Sequence, residues 1–233
     1  MRTAPRRPQA VVFDVLETLM RLEPLGDRFE EIGQPAAALQ PWFLRVQRDC
    51  MALTLSGEVA CSSTFLDAAH QALRVESGQS VSEAEIEHVL SGLPRLPAHP
   101  DALPALRRLR EAGVRVGALT VGDAEVTRAF LEHNGLAPHV EQVVTAAEAG
   151  AWKPAPEVYR AAAERVGAPP AATALVAVHA WDCHGANRAG LLSGWCARLE
   201  GRHSAMFAEP DVVGEDLDQV AEGLLGLPTA GTR

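Results

Sequence analysis

Four side chains, Asp14, Thr120, Lys153 and Asp182, suit covalent chemistry, and each stands at the end of an apolar run or in the loop or turn that follows one. "QAVVFD" (9–14) ends on Asp14, with Thr18 just beyond, and "VRVGALT" (114–120) ends on Thr120. Lys153 lies in "GAWKPAPEVY", after a third run, and "ATALVAV" (172–178) is followed by His179 and Asp182 in "HAWD". A carboxylate at the end of a buried strand is partly desolvated, which raises its reactivity but also favours its protonated form. An ammonium within about 4–6 Å reverses the second effect, lowering an Asp pKa by roughly 1–3 units. Asp14 with Lys153 is therefore a minimal arrangement for nucleophilic attack by a carboxylate, with Asp182 positioning the lysine or a water. The plainer alternative is an ion pair at a sheet edge with a purely structural purpose.

These residues need a frame that brings strand ends together. The β-branched and apolar runs at 9–14, 114–120, 140–145, 172–178 and 194–199 predict strands. Helices are predicted over 101–112, 123–134, 155–166 and 182–190, and "PDVVGEDLDQVAEGLLGL" predicts a last short strand and helix. Strands alternating with helices imply an α/β fold with a doubly wound parallel sheet and right-handed crossovers. Ligands of such sheets sit beyond the carboxyl ends of the strands. Between 22 and 93 the pattern changes. "PLGDRFEEIG", "AAALQPWFLRVQRDCMALTLSG", "STFLDAAHQALRVESG" and "SEAEIEHVLSGL" all carry helical spacing, with Ser82 and Glu85 forming a capping box. Four helices with no strand between them predict an inserted helical bundle, and the Pro-rich "PRLPAHPDALP" (94–104) is its return linker. The domains are thus a Rossmann-like core over 1–20 and 95–233 and a helical cap over 21–94.

Composition excludes several classes. The chain has 233 residues, 47% hydrophobic and 22% charged, as soluble globular proteins do. A net charge of −9 argues against nucleic-acid binding, which needs clustered Lys and Arg. No apolar stretch is long enough to span a membrane, and the basic "MRTAPRRPQA" lacks the apolar segment of a secretory signal. Cys50, Cys61, Cys183 and Cys196 show no CxxC pairing and read as reduced, mostly buried thiols of a cytoplasmic protein. No Gly-rich phosphate loop is present, and "CSSTF" (61–65) reads as a helix start in the cap. His179, Asp182 and His184 lack a further ligand at metal spacing, and His184 reads as a helix-surface residue.

In order and context, "FDVLETL", "LTVG", "WKPAPEVY" and "HAWDCHGA" resemble the four motifs of the haloacid dehalogenase superfamily, and the resemblance covers nearly the whole chain. It implies that Asp14 is a nucleophile forming a covalent ester, Thr120 a substrate-binding hydroxyl, Lys153 the charge partner and Asp182 the last acidic member, with Thr18 beside the nucleophile. The superfamily's phosphatases carry a second Asp where this chain has Leu16. That acid protonates a departing alkoxide, which is a poor leaving group, whereas a halide ion needs no proton. Val178 and His179 stand where those phosphatases carry Gly–Asp to help hold magnesium, so the metal site is depleted. A dehalogenase that needs no cofactor fits better than a magnesium-dependent phosphatase.

Further detail resembles the (S)-2-haloacid dehalogenase branch. "WFLRVQRD" places Arg45 where that branch has a halide-meeting arginine, with Arg48 one turn on as the competing choice. Tyr159, the only tyrosine, falls at the matching place in "KPAPEVY", and "AWD" at 180–182 is the branch's wording. Four positions depart: the branch has Tyr, Asn, Ser and Asn where this chain has Leu16, Val121, Ala177 and His179. His179 replaces one lost polar group, as a donor to a carboxylate or as a base that activates water; otherwise it is a strand-end histidine satisfied by backbone.

The resulting expectation is a hydrolase that displaces halide from a small 2-haloalkanoic acid through an aspartyl ester, giving the 2-hydroxy acid. Thr120 and backbone amides near Leu16 and Glu17 hold the substrate carboxylate, and Leu16, Met20 and apolar cap residues form the pocket wall. The partner is a small molecule, with no nucleic acid or membrane, and the resemblance admits a homodimer. The alternatives are a catalytically weak relative that binds a small carboxylate or phosphate, and the magnesium-dependent phosphatase.

Overall fold

The computed structural model describes residues 4–57, 65–77 and 81–229. Six parallel strands form one sheet in the order β3-β2-β1-β4-β5-β6. They are β1 (Ala10–Asp14), β2 (Arg115–Thr120), β3 (Gln142–Thr145), β4 (Thr173–Ala177), β5 (Leu192–Cys196) and β6 (Val212–Gly214). β1 lies between β2 and β4 and all five of its residues are buried, which is why its sequence runs apolar without alternation. The chain leaves β1 toward β2 on one side and later returns to β4 on the other. The strand order therefore reverses beside β1, and a crevice opens beyond the carboxyl ends of β1 and β4. Asp14 ends β1 and His179 follows β4 by two residues, so the topology alone brings them together.

Between β1 and β2 come α1 (Gly26–Glu31), α2 (Leu39–Leu55), α3 (Phe65–Glu76), α4 (Glu83–Leu90) and α5 (Ala102–Glu111). No strand interrupts the first four among the described residues. Ser82 caps α4 with both arms of the expected capping box: its side chain accepts from the Glu85 amide, and the Glu85 carboxylate accepts from the Ser82 amide. The residues around 94–104 form a short turn and one β-bridge, Met20 to Ala98, before α5 begins. Asn134 holds this return segment, donating to the Leu96 carbonyl and accepting from the Ala98 amide.

The remaining helices are α6 (Ala124–His133), α7 (Pro156–Arg165), α8 (Ala180–Ala189) and α9 (Leu217–Leu225). Two sequence boundaries move. The strand expected at 194–199 is Leu192–Cys196, because Gly190, at φ 95°, ends α8 abruptly and pairing with β4 and β6 starts at once. Arg198, expected inside that strand, instead leaves the sheet to pair with Asp101 and donate to the Thr18 carbonyl. α8 in turn starts at Ala180, two residues early, so Asp182 sits in its first turn. Cys50, Cys183 and Cys196 are buried free thiols; Cys61 and most of "CSSTF" lie outside the described residues. Among the described residues no helix is long and apolar enough to cross a membrane.

Candidate active site

Asp14 is almost wholly buried, and each of its oxygens is held. Oδ1 accepts from Lys153 Nζ at 2.9 Å, and Oδ2 accepts from Thr18 Oγ1 at 2.6 Å. Thr18 lies one turn beyond the strand, and its oxygen accepts from the Val178 amide at 3.1 Å, which ties the turn to the end of β4. Lys153 also donates to Asp182 Oδ2 at 2.8 Å, and the other Asp182 oxygen accepts from the Tyr159 hydroxyl at 2.5 Å. Gly185, on the same face of α8 as Asp182, makes room for that hydroxyl: a Cβ there would lie 2.5 Å from it.

The charges follow from these contacts. Burial alone would raise the Asp14 pKa, but the Lys153 charge, with His179 and Thr18, outweighs it and holds the carboxyl well below the usual range. Burial likewise opposes the Lys153 charge, yet Asp14 and Asp182 outweigh it and raise that pKa. Asp182 has the weaker claim on the shared cation. Burial and the nearby Asp14 charge push its pKa up against the pull of Lys153. Asp14 is thus the carboxylate kept ionised, and Asp182, itself held by Tyr159, is the second partner of the lysine.

His179 brings a second cation. Its Nε2 lies 2.8 Å from Glu17 Oε2 and its Nδ1 lies 3.7 Å from Asp14 Oδ2. Burial would lower its pKa, but the Asp14 carboxylate beside it and the Glu17 carboxylate bonded to it push it up to about 10, so the ring is an imidazolium at neutral pH. Only the backbone near Glu17 was expected in the site, not its side chain. The signal available was a charged residue within the apolar "VLETLM", three places after Asp14.

A cavity opens on Asp14, Lys153 and His179. Leu16, Val121 and Trp181 wall it from the core, and Phe65 and one face of α2 (Phe43, Val46, Gln47, Cys50 and Met51) wall it from above. The enclosed space, about 20 Å³, holds about one water-sized group, so the site is closed. Leu16 is therefore a wall residue, as expected, whereas Met20 is buried away from the cavity in the bridge to Ala98.

Several expected site residues stand elsewhere. The cavity face of α2 repeats at i, i+3, i+4, i+7 and i+8 from Phe43, which puts Arg45 about 200° round the helix. Arg45 pairs with Glu76 of α3, and Arg48 pairs with its neighbour Asp49 at 2.7 Å. Neither arginine reaches the cavity. Tyr159 also does not line it, because its hydroxyl serves Asp182. Thr120 is buried at the end of β2, and its oxygen accepts from the Gly122 amide at 2.8 Å. His184 is half-buried, accepts from the Ala208 amide at 2.9 Å and packs on Phe207.

Among the described residues no group of three His, Cys, Asp or Glu side chains is arranged to hold a metal. Asp14 and Asp182 are instead bridged by an ammonium, with an imidazolium beside Asp14. A divalent ion at Asp14 would meet both cations, so this donor set does not fit magnesium.

The family model for haloacid dehalogenase-like hydrolases matches residues 8–190, from β1 through α8, and spans Asp14, Glu17, Lys153, His179 and Asp182. The chain belongs to the haloacid dehalogenase-like hydrolases. Within that family it is 28% identical over 188 residues to (S)-2-haloacid dehalogenase 4A of Burkholderia cepacia, covering 78% of this chain and 80% of the relative. It is 29% identical over 187 residues to (S)-2-haloacid dehalogenase 1 of Pseudomonas sp. (strain CBS-3), covering 78% and 81%. A solved L-2-haloacid dehalogenase structure superposes with a TM-score of 0.85 at 26% identity, over 95% of this chain and 99% of that one. The α/β sheet with a helical insert is the architecture of these structural neighbours.

Proposed function

We propose that this protein is a hydrolase acting on carbon–halogen bonds, converting a small 2-haloalkanoic acid to the 2-hydroxy acid. One observation carries the reading: Asp14 is held ionised by Lys153 and Thr18 and faces a largely apolar cavity in which Leu16 stands where an acid would be needed to protonate an alkoxide. A buried carboxylate of this kind attacks a carbon whose leaving group departs unprotonated, and a halide does. Asp14 displaces the halide and becomes an ester of the acid; water then attacks the Asp14 carbonyl carbon and releases the hydroxy acid. Lys153 and His179 border the cavity as cations and attract the substrate's carboxylate, which the net charge of −9 would otherwise repel.

The proposed domain division is a core of 1–20 and 95–233 and a cap of 21–94. The cap supplies the α2 wall, and Thr54 of α2 accepts from the Trp152 amide at 3.1 Å, one residue before Lys153. A substrate larger than a water enters only when this wall lifts, and closing it again keeps bulk water from the nucleophile. The reaction as proposed uses no cofactor, and its partner is a small molecule.

Halide release from both enantiomers of 2-chloropropionate and 2-bromopropionate, with chelator present and Asp14→Asn protein alongside, tests this. Release by the wild type alone supports the aspartyl-ester route. No release from either acid overturns it in favour of a relative that binds a small carboxylate without turnover.

A further inference from the structure

Glu17 has a backbone φ of 65°, the only non-glycine residue with positive φ among the described residues. That conformation is strained for a residue with a side chain and persists only where the surroundings impose it. Here it turns the Glu17 carboxylate inward, where it is buried between two partners. Oε2 meets His179 Nε2, and Oε1 accepts from Gln40 Nε2, on α2, at 3.1 Å. Glu17 also borders a second cavity of about 120 Å³, separate from the apolar one and lined by Gln40, His99, Arg198 and Glu23. His179 therefore stands between the nucleophile and a carboxylate that reaches a polar space.

We propose that Glu17 and His179 form the base of the second half-reaction, with His179 taking a proton from the water that hydrolyses the Asp14 ester and Glu17 positioning the ring by holding its Nε2 proton. The proposal rests on the aspartyl-ester reading above. Hydrolysis of a haloacid yields one hydroxy acid, one halide and one proton, and that proton arises inside a closed apolar site. In the resting enzyme, Asp14 and Glu17 face the two ring nitrogens, the Trp181 ring packs on the imidazole at 5.3 Å, and Glu200 accepts from the adjacent Ala180 amide. Once Asp14 is an ester its negative charge is gone, and Glu17 alone supports the imidazolium. The ring then loses its Nδ1 proton to water as the α2 wall lifts and the halide leaves, while Glu17 holds the Nε2 proton. Bare Nδ1 faces the ester, with Nε2–H still donating to Glu17. Water attacks the Asp14 carbonyl carbon and gives a proton to Nδ1. The tetrahedral species collapses, the bond from that carbon to the alkyl oxygen breaks, and the departing oxygen takes the Nδ1 proton. Asp14 is left as a carboxylic acid, and ionises again as His179 regains its proton.

Wild type, Glu17→Gln and His179→Gln, each full length, are mixed with racemic 2-bromopropionate, and bromide and intact mass are followed with time. A positioned base contributes typically 10²–10⁴-fold. Both variants are expected to release one equivalent of bromide per chain in a burst and then turn over at least about 100-fold more slowly than wild type. They should also retain a propionate adduct on the peptide containing Asp14. Steady release without an adduct, at the wild-type rate, overturns the proposal. So does loss of the burst itself in either variant with unchanged near-UV circular dichroism, which assigns the pair to the first step instead. Wild type that yields neither bromide nor adduct overturns the aspartyl-ester reading along with it.

Discussion

Lys153 Nζ lies 2.9 Å from Asp14 Oδ1 and 2.8 Å from Asp182 Oδ2, one buried ammonium between two buried carboxylates. The pairing works only as a set of three. Without Asp182, the lysine would be held on one side only; without the lysine, two buried carboxylates would face each other uncompensated.

Lys153→Met removes the cation and leaves that repulsion. Breaking a buried charge pair from one side costs about 3–5 kcal/mol. Urea unfolding should show a loss of that size at pH 7, with partial recovery toward pH 4 as a carboxylate takes up a proton. Halide release should fall toward the level of Asp14→Asn, because Asp14 loses the cation that orients it and keeps it ionised.

His179 gives a pH dependence of opposite sign to the usual acidic one. Its pKa rises from 6.5 to about 10 on folding, so its contribution to stability is complete below pH 6.5 and is lost as pH climbs through 10. The shift corresponds to at most about 5 kcal/mol. Wild type should therefore lose thermal stability between pH 7 and 10 more steeply than His179→Gln. Parallel melting curves for the two proteins across that range would show that the imidazolium is not stabilised by Glu17 and Asp14.

Most of this frame was legible in the sequence, for a physical reason. Strands buried on both faces read as apolar runs, so β1, β2 and β4 announce themselves, and the chemistry sits where each run ends. Asp14, at the end of β1, and Asp182, beyond β4, both lie within hydrogen-bonding reach of Lys153, beyond β3. Direction was harder. On α2, Trp42, Phe43 and Val46 are all buried, so apolar residues occupy more than one side and do not fix which side meets the site. A one-residue change in phase moves a side chain by about 100°, and it separates Val46, in the cavity wall, from Arg45, outside it. Glu17 escaped notice because its role depends on a positive φ that no residue type but glycine signals.

Tyr159 can be tested as a support for Asp182. Tyr159→Phe removes the hydroxyl donor and leaves one buried carboxylate oxygen unpaired, at about 1–3 kcal/mol. Halide release should weaken in kcat more than in KM, since Tyr159 does not line the cavity and acts through Asp182 and Lys153. A selective rise in KM would instead place the hydroxyl on the substrate.

Arg45 separates this structure from what the family resemblance implies. Its guanidinium pairs with Glu76 at the α2–α3 contact, with about a quarter of each side chain exposed. A pair of that kind contributes about 0–1 kcal/mol, so Arg45→Ala should unfold at nearly the wild-type urea concentration. Halide release should remain within about threefold of wild type, as the variant alters no cavity wall; threefold is roughly 0.7 kcal/mol of transition-state energy. Val46→Asp, on the adjacent cavity face, should by contrast set a third carboxylate beside Asp14 and suppress release. If Arg45→Ala abolished release while the fold held, α2 would have to rotate during turnover to bring the arginine inward, and the closed site would be only one of two working positions of the cap.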